Sequence, residues 1–150
     1  MIGSPIPVGH YPIDSTINSA GTRLYVLNSV GTVSVVNTST NSTVATIPVG
    51  SNPLRLGINP SGSRLFVANQ GDDNISVIDT STNTVIGNSI AVGPSPMGVA
   101  ASPSGKRVYV ASLYGNSVSI ISSTTNTTVG NPIAVGNGPR GVLVVPAQTP

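Results

Sequence analysis

The run Gly62-Ser63-Arg64-Leu65-Phe66-Val67-Ala68-Asn69 occurs three times in this chain. It returns as Gly21-Thr22-Arg23-Leu24-Tyr25-Val26-Leu27-Asn28 and as Gly105-Lys106-Arg107-Val108-Tyr109-Val110-Ala111-Ser112. A turn glycine, a cation and four or so apolar residues ending on a small polar one describe a short strand. An unbroken apolar run such as Leu65-Phe66-Val67-Ala68 implies a strand buried on both faces. A repeated strand of that kind is covered by copies of its own unit.

The surrounding text repeats with it. Placing Pro12, Pro53, Pro96 and Pro139 in register gives periods of 41, 43 and 43 residues, the range in which repeat architectures are sought. Each unit offers four strands. The first follows the proline (Leu54 to Asn59, Gly98 to Ser102, Gly141 to Val145) and ends in a turn such as Pro60-Ser61-Gly62. The second is the opening run. The third is Val33-Ser34-Val35-Val36, Ile75-Ser76-Val77-Ile78 or Val118-Ser119-Ile120-Ile121, and the fourth closes on Ile47-Pro48-Val49-Gly50, Ile90-Ala91-Val92-Gly93 or Ile133-Ala134-Val135-Gly136. Proline inside the fourth strand cannot donate to a ladder, so that strand belongs at the sheet edge. Gly or Pro interrupts every stretch long enough for a helix. The expected fold class is all-β, a single domain of β-propeller blades made of three four-stranded repeats of about 41–43 residues.

The boundaries follow from the register: repeat 1 at 12–52, repeat 2 at 53–95 and repeat 3 at 96–138. Residues 1–11 read as an orphan fourth strand, because Ile2-Gly3-Ser4-Pro5-Ile6-Pro7-Val8-Gly9 aligns with Ile86 to Gly93. Residues 139–150 read as an orphan first strand. Three blades are fewer than the four to eight that close a propeller. Terminal repeats normally turn polar to cap an array, and neither end unit here carries extra charge. Either other copies of the chain complete the structure, as a ring or as a filament that does not close, or the chain is a piece of a longer propeller. The strands expected to carry assembly are those of Ile2, Ile6 and Val8 at one end and Val142, Leu143, Val144 and Val145 at the other.

At the level of motif the chain resembles the Tyr-Val-Thr-Asn (YVTN) β-propeller repeat family. The likeness rests on Tyr25-Val26-Leu27-Asn28, Phe66-Val67-Ala68-Asn69 and Tyr109-Val110-Ala111-Ser112, flanked by Ile75-Ser76-Val77-Ile78-Asp79-Thr80 and Ile90-Ala91-Val92-Gly93. That resemblance implies a β-propeller of the kind found in surface-layer and other extracellular proteins, with no shared catalytic residue to transfer.

Composition narrows the function classes. Charged residues are only 7% of the chain, against about a quarter in an average soluble domain. Six Lys and Arg against four Asp leave a net charge of +2. Scattered as they are, these cations lack the clustering by which nucleic-acid binders displace counterions. With no Cys there is neither a disulfide nor a thiolate metal site. No apolar run approaches the ~20 residues that span a bilayer, so membrane insertion is not expected. Met1-Ile2-Gly3-Ser4-Pro5 lacks the basic start and apolar run of a signal peptide, so either a precursor's signal is missing from the sequence or none existed.

Candidates for chemistry are few. His10 is the single histidine and its counterparts are Ser51, Pro94 and Asn137, so a solvated loop residue is expected rather than a metal ligand. Asp72-Asp73-Asn74 offers oxygen ligands, but calcium takes about six to eight and the other units do not repeat the cluster. Arg23, Arg64 and Arg107 share one position in the unit and read as stems laid on apolar surface or bonded to turn carbonyls, with anion binding as the alternative. Catalytic, cofactor and metal residues are therefore expected to be none. Asn37, Asn41, Asn74 and Asn126 each begin an Asn-x-Ser/Thr sequon and are where glycans would attach on export.

The expectation is a noncatalytic, extracellular or cell-surface structural protein that assembles with copies of itself into a surface layer, filament or ring. The alternative is a carbohydrate- or protein-binding propeller module, with cell-surface glycans as possible ligands. A lactonase-like enzyme stands third, for want of acids and bases.

Overall fold

The computed structural model describes residues 4–145, and every regular element among them is a β-strand. Blade 1 is β1 (Pro12–Ile17), β2 (Arg23–Asn28), β3 (Thr32–Asn37) and β4 (Ser42–Pro48), hydrogen-bonded antiparallel in that order. Blade 2 comprises β5 (Pro53–Ile58), β6 (Arg64–Asn69), β7 (Asn74–Asp79), β8 (Thr84–Val85) and β9 (Ile90–Ala91). Blade 3 repeats this with β10 (Pro96–Ala101), β11 (Arg107–Ser112), β12 (Ser117–Ser122), β13 (Thr127–Thr128) and β14 (Ile133–Ala134). First strands of successive blades lie side by side on the inside, and no sheet closes on itself. The molecule is an incomplete β-propeller.

The fourth strand differs from the single element expected. In blade 1 it is continuous. In blades 2 and 3 it breaks into β8 and β9, or β13 and β14, both halves pairing with the third strand. The break falls at Gly87-Asn88 and Gly130-Asn131, where these fourth strands carry one residue more than blade 1 between the same third-strand partners; the other residue that lengthens the units from 41 to 43 lies in the loop between the second and third strands. Gly87 and Gly130 have φ of +61° and +68°, a conformation glycine adopts without steric cost.

Hairpins are held by side chains that the turn chemistry selects. Asn18 Oδ1 accepts from the Thr22 and Arg23 amides, Asn59 Oδ1 from the Arg64 amide, and Ser102 Oγ from the Arg107 amide. From the opposite turn, the hydroxyls of Thr38, Thr80 and Ser123 donate to the carbonyls of Gly21, Gly62 and Gly105. Each blade is thereby stapled at one end.

Two cores lie between blades. Tyr25, Leu27, Val33, Val35 and Ile47 of blade 1 meet Leu56, Leu65, Val67 and Ile78 of blade 2. Phe66, Ala68, Ile75, Val77 and Ile90 of blade 2 meet Val108, Val110 and Ile121 of blade 3. Side chains alternate faces along a strand, so blade 2 is buried on both sides, as its unbroken apolar runs imply.

Beneath the loops a polar core repeats incompletely. Asn28 Nδ2 donates to Ser34 Oγ (3.0 Å) and Thr32 Oγ1 (3.1 Å), and Asn69 Nδ2 to Ser76 Oγ (2.9 Å) and Asn74 Oδ1 (2.8 Å). Blade 3 has Ser112 instead. Its hydroxyl and that of Ser119 are buried and make no bond among the described residues. Ser112→Asn is expected to supply the missing donor to Ser117 and Ser119 and to stabilise the fold by about 1 kcal/mol. Asn69→Ala, which strips two acceptors of their donor, is expected to destabilise by about 1–3 kcal/mol. Urea unfolding followed by circular dichroism measures both.

Candidate functional site

Four positions show where the array is incomplete. Phe66, Ala68, Ile75 and Val77 of blade 2 are covered by blade 3 and are no more than 1% exposed. Their counterparts on the outer face of blade 3 are Tyr109, Ala111, Val118 and Ile120. Tyr109, Val118 and Ile120 are half-buried, and only Ala111 is sealed. At the sheet's outer edge the contrast is larger: Ile90 is 6% exposed and its counterpart Ile133 is 50% exposed. Tyr109 and Ile120 are cross-strand partners, so this is one contiguous apolar face.

The segment after blade 3 lies where the first strand of a further blade belongs. Its connector is built like the earlier ones: the Gly138 amide donates to Asn116 Oδ1 (2.9 Å) as the Ser95 amide donates to Asp73 Oδ1 (2.8 Å). Gly138 and Ser95 both have left-handed φ, +65° and +57°. Beyond it the chain packs on the inner strand of blade 3, where a Cβ on Gly98 would fall 2.9 Å from Gly141 Cα. A Cβ on Gly57 would likewise fall 3.1 Å from the Val99 carbonyl oxygen across the preceding pair of blades. Val142 and Val144 are half-buried against this inner edge, while Leu143 and Val145 are 85% and 67% exposed. No strand pairs with residues 139–145 among the described residues.

At the other end the face of blade 1 is covered in part, with Leu24 left half-buried. Val26 and Val36 are 8% and 1% exposed, and residues 4–9 run past them. The Thr43 hydroxyl donates to the Pro7 carbonyl (2.6 Å) and the Gly9 amide to Ser34 Oγ (3.1 Å). Gly9 presses on the Asn28 side chain as Gly50 presses on Asn69, which places Ile6 and Val8, both half-buried, in the position of a preceding blade's fourth strand. Ile2, expected to share that role, lies outside the described residues.

The loop-side aspartates tie connectors together. Asp72 accepts from the Ser51 hydroxyl and from the Ser51 amide (2.7 Å), and these bonds hold its pKa below the ordinary 3.8. Asp73 binds the next connector through Ser95. Asp14, which sequence reading passed over, accepts from the Leu56 amide (3.1 Å) and joins the inner strands of blades 1 and 2. A lone Asp on a strand gives no sign of such a role; only the adjacency of first strands reveals it. At the opposite end Arg64 lies 3.6 Å from Asp79, whose carboxyl is lowered mainly by the Ser81 hydroxyl and amide. Arg23 bonds the Thr22 carbonyl, Arg107 is exposed, and His10 is exposed in its loop. Among the described residues no three His, Asp or Glu side chains gather as a metal site would require.

The sequons are unequal. Asn41 is exposed in a left-handed turn position. Asn37 Oδ1 accepts from Ser39, Asn74 is held inward by Asn69, and Asn126 Oδ1 is buried.

No protein-family model matches this chain, and no curated protein matches it. Among solved structures it is similar to hydrazine synthase of Kuenenia stuttgartiensis, with a TM-score of 0.83 and 27% identity over 94% of this chain and 41% of that one. A functionally unknown protein from Desulfotomaculum acetoxidans gives a TM-score of 0.79 at 19% identity, over 89% of this chain and 45% of that one. The WD40 repeats of RRP9 give 0.77 at 12% identity, over 85% and 40%. These likenesses agree with the β-propeller fold, and the chain spans about two fifths of the length of the structures it matches.

Because the Asp72 and Asp79 carboxyls are depressed in the folded state, both favour folding at neutral pH. That contribution is full above 3.8, the ordinary value, and is lost as pH falls through the lowered folded values. The melting temperature is expected to hold from neutral pH to about 5 and to drop below 3.8. Asp72→Asn with Asp79→Asn is expected to lower it at neutral pH and to narrow the acid-induced drop, read by circular dichroism melts across pH.

Proposed function

We propose that this chain is a noncatalytic propeller-repeat module of the YVTN type that works by assembly, its interaction surface being the open face of blade 3 and the unpaired segment 139–145. One observation carries the reading: three of the four positions buried to within 1% in blade 2 are left half-exposed in blade 3, at Tyr109, Val118 and Ile120. A contiguous apolar face of this kind marks an interaction site. The preferred partner is another copy of the chain, in an extracellular or cell-surface array. Low charge and abundant hydroxyls suit such packing, and the two unlike ends of the array, one partly covered and one open, favour head-to-tail contacts.

A second reading, a module that binds protein or carbohydrate, draws support from the propeller fold of the structural neighbours. It also draws on Tyr11 and Tyr114, each 75% exposed on loops, where a sugar ring could stack.

Light scattering with negative-stain microscopy tests the first reading. The wild type is expected well above the 15.0 kDa of one chain, as rings or threads. Ile120→Lys is expected to reduce it to a monomer with unchanged circular dichroism. A wild-type protein that stays monomeric at high concentration overturns self-assembly.

A further inference from the structure

A cleft of about 280 Å³ opens between blades 2 and 3. One wall is the end of β9 and the residues after it, Ala91, Val92 and Gly93, and the other is Ser119 of β12 and Thr128 of β13, with Pro132 beyond. Its size lies just under the ~300 Å³ at which ligand pockets begin, room for one small ligand. None of these residues is charged, which favours a neutral one.

Three residues set this junction apart from its counterpart between blades 1 and 2. In the register of the repeat, Ala91 stands where blade 1 has Pro48, and Thr128 where blade 2 has Val85. Ser112 stands where blades 1 and 2 have Asn28 and Asn69. The first exchange trims a wall, the second adds a hydroxyl to one, and the third takes a donor from the floor. Ser34 Oγ accepts from the Asn28 carboxamide (3.0 Å) and Ser76 Oγ from the Asn69 carboxamide (2.9 Å). Ser119 is the corresponding residue of β12 and alternates with Ile121, so it faces blade 2. It lines the cleft, is only 2% exposed, and its hydroxyl has no partner among the described residues.

What completes a serine at this position is therefore an amide N–H. In blade 1 the Gly9 amide even adds a second such bond to Ser34 (3.1 Å). Beside Ser119, the apolar walls of Ala91, Val92 and Pro132 suit a methyl group, and the Thr128 hydroxyl, both donor and acceptor, suits a ligand hydroxyl. A neutral ring that carries an amide, a methyl and hydroxyls is an acetamido sugar.

We infer that the cleft between blades 2 and 3 binds a saccharide residue bearing an acetamido group, whose N–H donates to Ser119 and whose methyl lies against Ala91, Val92 and Pro132. The site rests on the carbohydrate reading above and names its ligand. Leaving a buried acceptor unpaired costs more than an ordinary bond contributes, so the amide gains more here than a surface contact would.

The test is titration of the isotope-labelled full chain with N-acetylglucosamine, followed by NMR. Saturable shifts are expected at Ala91, Val92, Gly93, Ser119 and Thr128. Glucose, which lacks the amide and the methyl, is expected to bind about tenfold more weakly. Ser112→Asn is the sharper probe, because its carboxamide would reach Ser119 from within as that of Asn69 reaches Ser76. Affinity is expected to fall at least about tenfold while the melting temperature rises, so misfolding cannot account for the loss. Val44→Lys, on an exposed position of β4, is expected to bind as the wild type does.

Full affinity in Ser112→Asn, or equal affinity for glucose, overturns the inference. Shifts confined to the loops of Tyr11 and Tyr114 remove the cleft site and leave the carbohydrate reading standing. Silence toward both sugars also removes the site, and a glycan array probed with the same protein then decides the broader reading separately.

Discussion

Everything in this molecule depends on one sheet lying on another. A four-stranded sheet with two apolar faces has no stable form alone, because its twin surfaces must both leave water. Blade 2 meets that demand fully, giving Leu65, Val67 and Ile78 to one neighbour and Phe66, Ala68, Ile75 and Val77 to the other. Each blade touches only the blades beside it, so stability is a chain of nearest-neighbour terms. The outer blades are therefore the ones with apolar surface left to cover.

Polar groups, not ion pairs, fix how the sheets meet. With 7% of residues charged, the joints fall to Asn, Ser, Thr and four Asp. Asn28 and Asn69 bind the ends of second and third strands, Thr38 and Thr80 close the opposite turns, and Asp14, Asp72 and Asp73 reach across to neighbouring connectors or strands. Charge-assisted bonds to backbone amides are about twice as strong as neutral ones, which suits the carboxylates to joints between blades. The Arg64–Asp79 pair, partly open to solvent, adds little beside them.

Much of this was legible in the residues. The repeated run, the period and the turn glycines locate the strands because each signal is local and occurs three times. Burial of blade 2 on both faces follows from Leu65-Phe66-Val67-Ala68. The split fourth strand was harder to see, because the residue added at Gly87-Asn88 and Gly130-Asn131 is only half of the difference in periods and is located only once the ladder is known. The role of Asp14 was not legible, because its partner Leu56 lies a whole repeat away and a single carboxylate carries no periodic signature. The asymmetry of the ends was half legible. Register placed orphan first and fourth strands, but the cover that residues 4–9 give to Val36 and the exposure left at Ile133 belong to packing.

That asymmetry bears on the kind of contact proposed for this surface. A fourth strand is an outer element: in residues 4–9 it shields part of a neighbouring sheet and reaches the loop-side polar core through Gly9. A first strand is an inner element, and residues 139–145 lie against Gly98 of the inner strand while Tyr109 and Ile120 are left half-open. Two such ends cannot form a self-complementary joint, because like would meet like with both middle strands absent. Under the assembly proposal, a contact through this face is therefore heterologous in character. Its energy comes from apolar cover over Tyr109, Val118 and Ile120, and its direction from the ladder offered by Gly141 to Val145.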